Sequence, residues 1–597
     1  MLTQIIILQT LIMRLGVRNE MKKLLLILCF LLMVAPASYA ATYYVDFDDG
    51  NNSNGGTGTS DAWRTLPGTC TNDTSTSNSG DPICTAVAET GWETINAGDT
   101  IYLKSGTTYS TADISGGRIH LGSPWYATNA TPSNPITIQR KTDWGSGSVT
   151  FEASGVNNPG HGWGFIEIRR SGGYVIDGVS GVSTDYNGII IQNSTHSGIS
   201  THPGWTVAYE GSTFQYIYFY NNESTHTGSD DQSGGNLFIY DHNSAVVVDH
   251  CEFNGNNVRT QGISIADNDD RVTDATISNC LAYDFAGTDN SGIGFKAQNS
   301  VVVFDNVVAH DCFKGIDAGE QTAISSWNID YTVKNSTFYD NNWGTNFSSS
   351  ESARTGYFHV TIFNNIYYDN IAAGIDVYSS PWEAYIVHNT LYNNGTEGGN
   401  ESRQIGLTSD TPYDSLLTRS YVYNNIFYKP GGEKNLSVER WTSTTSNQFV
   451  MNSNYNSWVQ RASEVFCRWR HYGVGDEACD FSYGTNGPGK ATGNWYNWYG
   501  CHDSASSQGH FQQDANSVGT GATDTTEPPF ISGEPAANNI FTLTETYPGK
   551  DISAETWYTE AMGTDRNGVT RTFWDMGAYE SGEEVAPPNA IQGVTIN

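Results

Sequence analysis

Short apolar stretches of three to five positions, each closed by Asn or Gly, recur along this chain between residues 217 and 430. They alternate apolar and polar residues and are rich in Val, Ile, Tyr and Phe, which suits short β-strands and is too brief for helices. The clearest copies read Ile-Ser-Asn-Cys at 277–280, Val-Lys-Asn-Ser at 333–336, Ile-Phe-Asn-Asn at 362–365 and Val-Tyr-Asn-Asn at 422–425. Looser ones are Phe-Asp-Asn-Val at 304–307 and Val-His-Asn-Thr at 387–390. Aligned, they give a polar column of Asn221, His250, Asn279, Asn306, Asn335, Asn364, His388 or Asn389, and Asn424. Its first steps are 29, 29, 27, 29 and 29 residues. A fixed period in the twenties built from short β phrases is the mark of a solenoid.

A second strand follows in each coil, usually opened by glycine: Gly262-Ile263-Ser264-Ile265, Gly292-Ile293-Gly294-Phe295, Gly315-Ile316-Asp317-Ala318 and Gly374-Ile375-Asp376-Val377. Counting Gly344, this column advances by 30, 23, 29 and 30 residues, in phase with the asparagines. Equivalent strands of successive coils then pair in parallel about 4.8 Å apart. Inward Ile and Val form a continuous core, and Asn side chains satisfy backbone groups at the bends. The pattern predicts an all-β, right-handed parallel β-helix. No helical period and no four-strand blade signature competes with it.

The chain has 597 residues, which one solenoid can absorb as a single body. Charged residues make up only 15%, below the roughly 25% of ordinary domains. The net charge of −34 argues against nucleic acid as a partner, because phosphate binding needs a basic surface. Lys22-Lys23, the apolar run 24–34 and Ala37-Ser38-Tyr39-Ala40 read as a secretory signal cut after Ala40, with Met21 as the expected start. No later stretch is long and apolar enough to span a membrane, so the protein is expected outside the cell or on its surface, as a monomer. Residues 41–120 are expected to hold an N-terminal cap and the first coils, 121–432 the β-helix, 433–581 irregular C-terminal coils with a closing motif, and 582–597 a linker-like tail. Cys70 with Cys84 and Cys467 with Cys479 could each close a local loop, although spacing does not fix connectivity. Cys251 and Cys280 should stack on neighbouring rungs, as a disulfide or as small buried fillers.

The first mature residues, Tyr43-Tyr44-Val45-Asp46, Gly58-Thr59-Ser60-Asp61-Ala62-Trp63-Arg64-Thr65 and Ala97-Gly98-Asp99-Thr100-Ile101-Tyr102-Leu103, resemble the start of secreted β-helix proteins of the pectate-lyase-like superfamily. Asp565-Arg566-Asn567-Gly568 and Asp575-Met576-Gly577-Ala578-Tyr579-Glu580 resemble the closing motif of many such bacterial proteins. The resemblance implies a β-helix. It leaves open lyase, hydrolase, epimerase and non-catalytic surface roles.

Where chemistry could sit follows from strand alternation. With the Ile residues inward, one outward column of the second strand holds Ser264, Gly294, Asp317, Asn346 and Asp376. The next, two residues along, holds Tyr240, Ala266, Lys296, Gly319 and Tyr378. Lys296 and Asp317 should then occupy adjacent rungs, offset by two residues. β-Elimination on a uronic-acid sugar needs a base for the proton α to the carboxylate and a cation that neutralises the carboxylate. Lys296 and Arg354 are the candidate catalytic residues. Tyr240, Arg271, Asp376 and Tyr378 are candidate substrate contacts, and Asp317, Asp289 and Asp267 candidate Ca²⁺ ligands. The run Ser291–Lys296 followed by Phe313–Asp317 is similar in layout to the calcium segments of one pectate lyase family, but Ser291, Phe313 and Lys314 stand where that family has acids. His161, Asp230-Asp231 and Asp269-Asp270 resemble pieces of polygalacturonase-type hydrolases in the wrong chain order. The expected function is action on an extracellular polysaccharide, foremost as a lyase on an acidic glycan. A non-catalytic carbohydrate-binding β-helix and a glycoside hydrolase are the competing readings.

Overall fold

The computed structural model describes residues 40–520, with most longer connections left out, among them 203–210, 223–234, 267–272, 288–290, 321–328, 350–357 and 483–508. The chain divides into residues 1–41 and 42–597, and the architecture below is that of the second unit. The expected signal segment and the closing motif lie outside the described residues. Among the described residues no helix is long and apolar enough to cross a membrane.

Strands fall into three long sheets of 14, 13 and 15 strands, and from Thr100–Ser105 to Val465–His471 the chain visits them in strict rotation. One coil runs Asp274–Ser278 in the first sheet, Leu281–Phe285 in the second and Ile293–Gln298 in the third, and the next returns to the first at Val301–Asp305. Pairing between coils is parallel and in register, as in Ile277↔Phe304, Ala282↔Ala309 and Phe295↔Ile316. This winding is a right-handed parallel β-helix. It is already under way at Thr42–Val45, which pairs with Thr100–Ser105, and parallel pairing reaches Val518–Thr520. Antiparallel pairs occur at both ends, Thr69–Asp73 with Cys84–Ala86 and Val465–His471 with Glu477–Ser482.

Two sharp corners flank the short second sheet, and both need a residue at positive φ. The first corner uses Tyr216, His250, Asn279, Asn306, Asn335, Asn364, His388 and Asn424 at φ of 49–59°. The second uses Asn193, Asn221, Asp284, Asp311, Asp340, Asp369 and Asn393 at 49–60°. Asn and Asp are the residues that tolerate this conformation best after glycine. The expected single column therefore needs correcting. Asn221 belongs to the second corner, donating to Asn193 Oδ1 at 2.9 Å, while Tyr216 holds the first-corner place beside His250. His388, not Asn389, continues the first column.

The residue after each corner points inward. After the first corner Asn365, Asn389, Asn425 and Asn456 form a buried ladder, each Nδ2 donating to the next Oδ1 at 3.0–3.1 Å and to a carbonyl behind it. After the second, Asn341, Asn370 and Asn394 repeat the device. Cys251 and Cys280 occupy earlier positions of the first ladder as buried free thiols, so they are fillers and not a disulfide. Cys70 is disulfide-bonded.

Candidate functional site

On the third sheet Ile263, Ile265, Phe295, Ala297, Ile316, Ala318, Ile375 and Val377 point into the core and are fully or almost fully buried. The residues between them form an outward row in register: Ser264, Lys296, Asp317, Asn346, Asp376 and Gly406. Lys296 therefore lies directly beside Asp317 and is not displaced from it by two residues. The expected offset arose from the pair of glycines around Ile293. Gly292 turns the corner at φ +75°, and Gly294 is the one that aligns with Gly262, Gly315, Gly344 and Gly374. A Cβ on any of these stacked glycines would press on the carbonyl oxygen of the next rung, which is why the row is glycine.

Strand alternation sets which way Lys296 points and not what covers it. It faces away from the core, yet only 1% of its surface is exposed. Asp317 and Asp376 are nearly as covered, at 9% and 5%. The row is thus a floor of buried charges, and such charges persist only when paired or hydrogen-bonded.

Cationic partners of Asp317 and Asp376 come from a parallel row three residues earlier. Lys314 Nζ lies 3.0 Å from Asp317 Oδ1, which also accepts from Asn346 Nδ2 at 2.7 Å. The same ammonium stands 5.9 Å from the centroid of the Trp343 ring. On the far side a terminal Arg403 nitrogen lies 2.7 Å from Asp376 Oδ1, with both side chains buried. Gly406 makes this pair feasible, because a Cβ there would overlap both Arg403 Nε and Asp376 Oδ1. Arg403 has no acid three residues ahead, as Lys314 has, so it reaches back one rung to Asp376.

Of the expected substrate contacts, Asp376 lies in this row. Tyr240 and Tyr378 lie in the next outward row, joined by Ala266, Gln298, Gly319 and Ser348. Five rungs separate the two tyrosines, about 24 Å, so they cannot touch the same sugar. Arg354, Arg271, Asp289 and Asp267 lie outside the described residues.

The described donors do not fit a Ca²⁺ site. Ca²⁺ takes six to eight oxygens, whereas Asp317 Oδ1 is already held by an ammonium and an amide. Among the described residues no group of three His, Cys, Asp or Glu converges as metal ligands do.

Arg403 was missed by sequence reasoning, and a signal existed. Lys314 and Trp343 each precede a row glycine, and Arg403 occupies the same position. Gln404 replaces the glycine in that coil and hides the match.

No family model and no curated protein matches the chain. Several solved structures are similar to it. Pectate lyase Pel9A shares 12% identity over 91% of this chain and 97% of its own, with a TM-score of 0.36. XylC, solved in complex with xylose, shares 10% over 91% and 98%, with a TM-score of 0.40. PfbA, a surface adhesin of Streptococcus pneumoniae, shares 13% over 65% and 85%, with a TM-score of 0.27. The likeness is one of fold.

Proposed function

We propose that this protein is exported and acts on an acidic extracellular polysaccharide across the outward face of the third sheet, as a lyase. The observation that carries this reading is the gathering of Lys296, Lys314 and Arg403 with Asp317, Asn346 and Asp376 on one face of a chain whose net charge is −34. Pectate lyase, rhamnogalacturonan lyase and mannuronan epimerase among the similar structures agree with it but add no weight to the residue roles.

In β-elimination a base takes the proton α to the uronate carboxylate. That electron pair forms the new carbon–carbon double bond, and the bond to the glycosidic oxygen breaks as that oxygen gains a proton. Lys296 is the candidate base, lying one rung, about 4.8 Å, from the Lys314–Asp317 pair; at 1% exposure it reaches a sugar only when its cover is displaced. Lys314 is a candidate for neutralising the carboxylate, and Arg354 is kept as a second. Arg403 stands four rungs from Lys296, about 19 Å, so it serves a different sugar of the same chain. Calcium enters only through Asp267 and Asp289, and chelation that leaves turnover intact would remove it.

A second reading rests on the ion pairs themselves. Lys314 and Arg403 are already matched to Asp317 and Asp376, as on a face that binds glycan without cleaving it. Incubation with a panel of uronic-acid polymers separates the readings. Ultraviolet absorbance from unsaturated ends marks a lyase, reducing ends without absorbance mark a hydrolase, and retention alone marks a binder. Lys296→Met, which keeps the covered volume filled, should abolish absorbance while leaving the circular dichroism unchanged. Full activity in that variant would exclude Lys296 as the base.

A further inference from the structure

Where aromatic residues meet in register on the outward faces of this β-helix, their rings stack flat. Tyr339 and Tyr368 lie 4.8 Å apart at 2°, Tyr385 and Tyr421 4.7 Å apart at 4°, and Tyr392 and Tyr428 5.1 Å apart at 5°. Each ring covers its neighbour's face, and edges are what remain toward solvent.

The start of the first sheet departs from this habit. Tyr44 on Thr42–Val45 and Tyr102 on Thr100–Ser105 are also in register, yet their rings stand 5.7 Å apart and are splayed by 42°. A third ring, Trp144, meets Tyr44 at 5.6 Å and 76°. All three are half-buried, and they form a cup and not a stack. Gln139 takes the next place in the tyrosine row, also half-buried, and its amide donates to Asp177 Oδ2 at 3.2 Å.

Trp144 reaches the cup through a bulge. Strand Ile136–Gly145 follows Thr100–Ser105 in register as far as Lys104↔Lys141, after which Ser105 pairs with Gly145. Thr142, Asp143 and Trp144 are extra to the ladder, and the detour brings the indole against Tyr44. Glycine permits it. Gly145 and Gly106 stand at φ +95° and +79°, and a Cβ on them would overlap Ser105 O and Ser146 O respectively. The core on this strand is supplied by Ile136 and Ile138, so the indole is not there to fill it.

Charges around the cup select its ligand. Lys104 Nζ lies 2.7 Å from Asp46 Oδ2 and 3.4 Å from Asp49 Oδ2, and Lys141 Nζ lies 2.8 Å from Asp143 Oδ1. The same ammonium groups border the rings, Lys141 at 4.7 Å from the Tyr102 centroid and Lys104 at 6.0 Å from that of Trp144. Both cations are already engaged, and the carboxylates of Asp49 and Asp143 are largely exposed. An acidic sugar would be repelled by them, whereas a neutral sugar can donate its hydroxyls to them. Aromatic walls with a few polar groups at the rim are the composition of a small-ligand site.

We propose that Tyr44, Tyr102 and Trp144 form a binding cup for a neutral glycan, with the C–H groups of a pyranose against the rings and its hydroxyls on Asp49, Asp143 and Gln139. The cup lies on the first sheet, apart from the charged row of the third, and stands whether or not that row cleaves a polymer.

The test is binding of the full chain to plates coated with arabinoxylan, galactan, glucomannan, xyloglucan or polygalacturonate, in low and in high salt. Wild type should bind at least one neutral polymer, equally at both salt concentrations. Trp144→Ala should weaken that binding at least about tenfold, as loss of an aromatic anchor does, with unchanged circular dichroism. Trp144→Phe should restore most of it. Lys296→Met should bind the neutral polymer as wild type does, whatever becomes of its action on polygalacturonate. Should Trp144→Ala not fold, Tyr102→Leu takes its place with the same expectation. Failure to bind any neutral polymer overturns the proposal, and so does undiminished binding by the folded variant. Binding to polygalacturonate alone, lost with Trp144, also overturns it, since the cup would then hold an acidic glycan.

Discussion

Asn365 is fully buried and is engaged on every side. Its Nδ2 donates to Val333 O and to Asn389 Oδ1, and its Oδ1 accepts from Ser336 N. Asn365→Ala would leave two buried acceptors and a buried donor without that partner, at a cost of about 3 kcal/mol. Asn365→Asp should fare little better, because a carboxylate cannot donate to Val333 O. Hydrogen exchange is the measurement to make, since in a solenoid the loss falls on nearby coils. Amides of 329–339 and 358–368 should exchange faster, and those of 136–152 should not. Gly406 poses the opposite problem, too little room. Gly406→Ala points a methyl at Arg403 Nε and Asp376 Oδ1 while leaving the core untouched. It should cost about 1–3 kcal/mol by crowding and weaken glycan binding. Combined with Arg403→Ala, the two losses should fall short of their sum, because both disrupt one contact. Fully additive losses would mean that the pair does not depend on the space at Gly406.

The elements are short strands between corners, and the acid that precedes a corner can be held by donors from its own and the next rung. At the first corner, Asp249 is half-buried but accepts from Ser278 Oγ at 2.7 Å, Asn279 Nδ2 at 2.8 Å and His250 Nδ1 at 2.7 Å. Burial alone would raise its carboxyl, and the three donors outweigh that and hold it below the ordinary range. Its contribution is present above the unfolded pKa near 4 and is lost as pH falls through the folded value. Asp249→Asn should therefore cost about 2 kcal/mol at pH 7 and much less in strong acid, read as a denaturation midpoint at the two pH values. An equal cost at both would show that the carboxylate charge is not what Asp249 supplies. This corner pair also explains how far the repeat could be read from the sequence. The period, the strands and the parallel stacking were legible because apolar alternation and corner asparagines recur in every coil. Asn221 was assigned to the wrong corner because both corners select the same residue type for the same backbone reason. Lys296 was placed in the wrong outward row because either glycine beside Ile293 could open the strand, and only packing on Ala282 and Gly315 distinguishes them. Its burial was not legible, since alternation tells which way a side chain points and not what lies over it.

At the scale of the whole molecule, a body of net charge −34 is asked to bind a polyanion through a few cations on one face. The two effects have different reach. Repulsion from the rest of the surface is long-ranged and is felt where the Debye length is about 30 Å, near 0.01 M salt. Attraction by Lys296, Lys314 and Arg403 acts at contact and survives the screening length of about 8–10 Å found at 0.1–0.15 M. It weakens only when that length falls to about 3 Å, near 1 M. Affinity for a uronic-acid polymer should therefore pass through a maximum, weak near 0.01 M, tightest around 0.1–0.15 M and weak again near 1 M. Calorimetric titration at these salt concentrations measures it. Arg403→Gln should lower the whole curve and flatten its high-salt limb, because one contact cation is gone while the long-range repulsion remains. A steady fall from the lowest salt upward would mean that the local cations dominate at every distance. A curve independent of salt would mean that glycan is held without charge, and the third-sheet face would lose its claim to an acidic substrate.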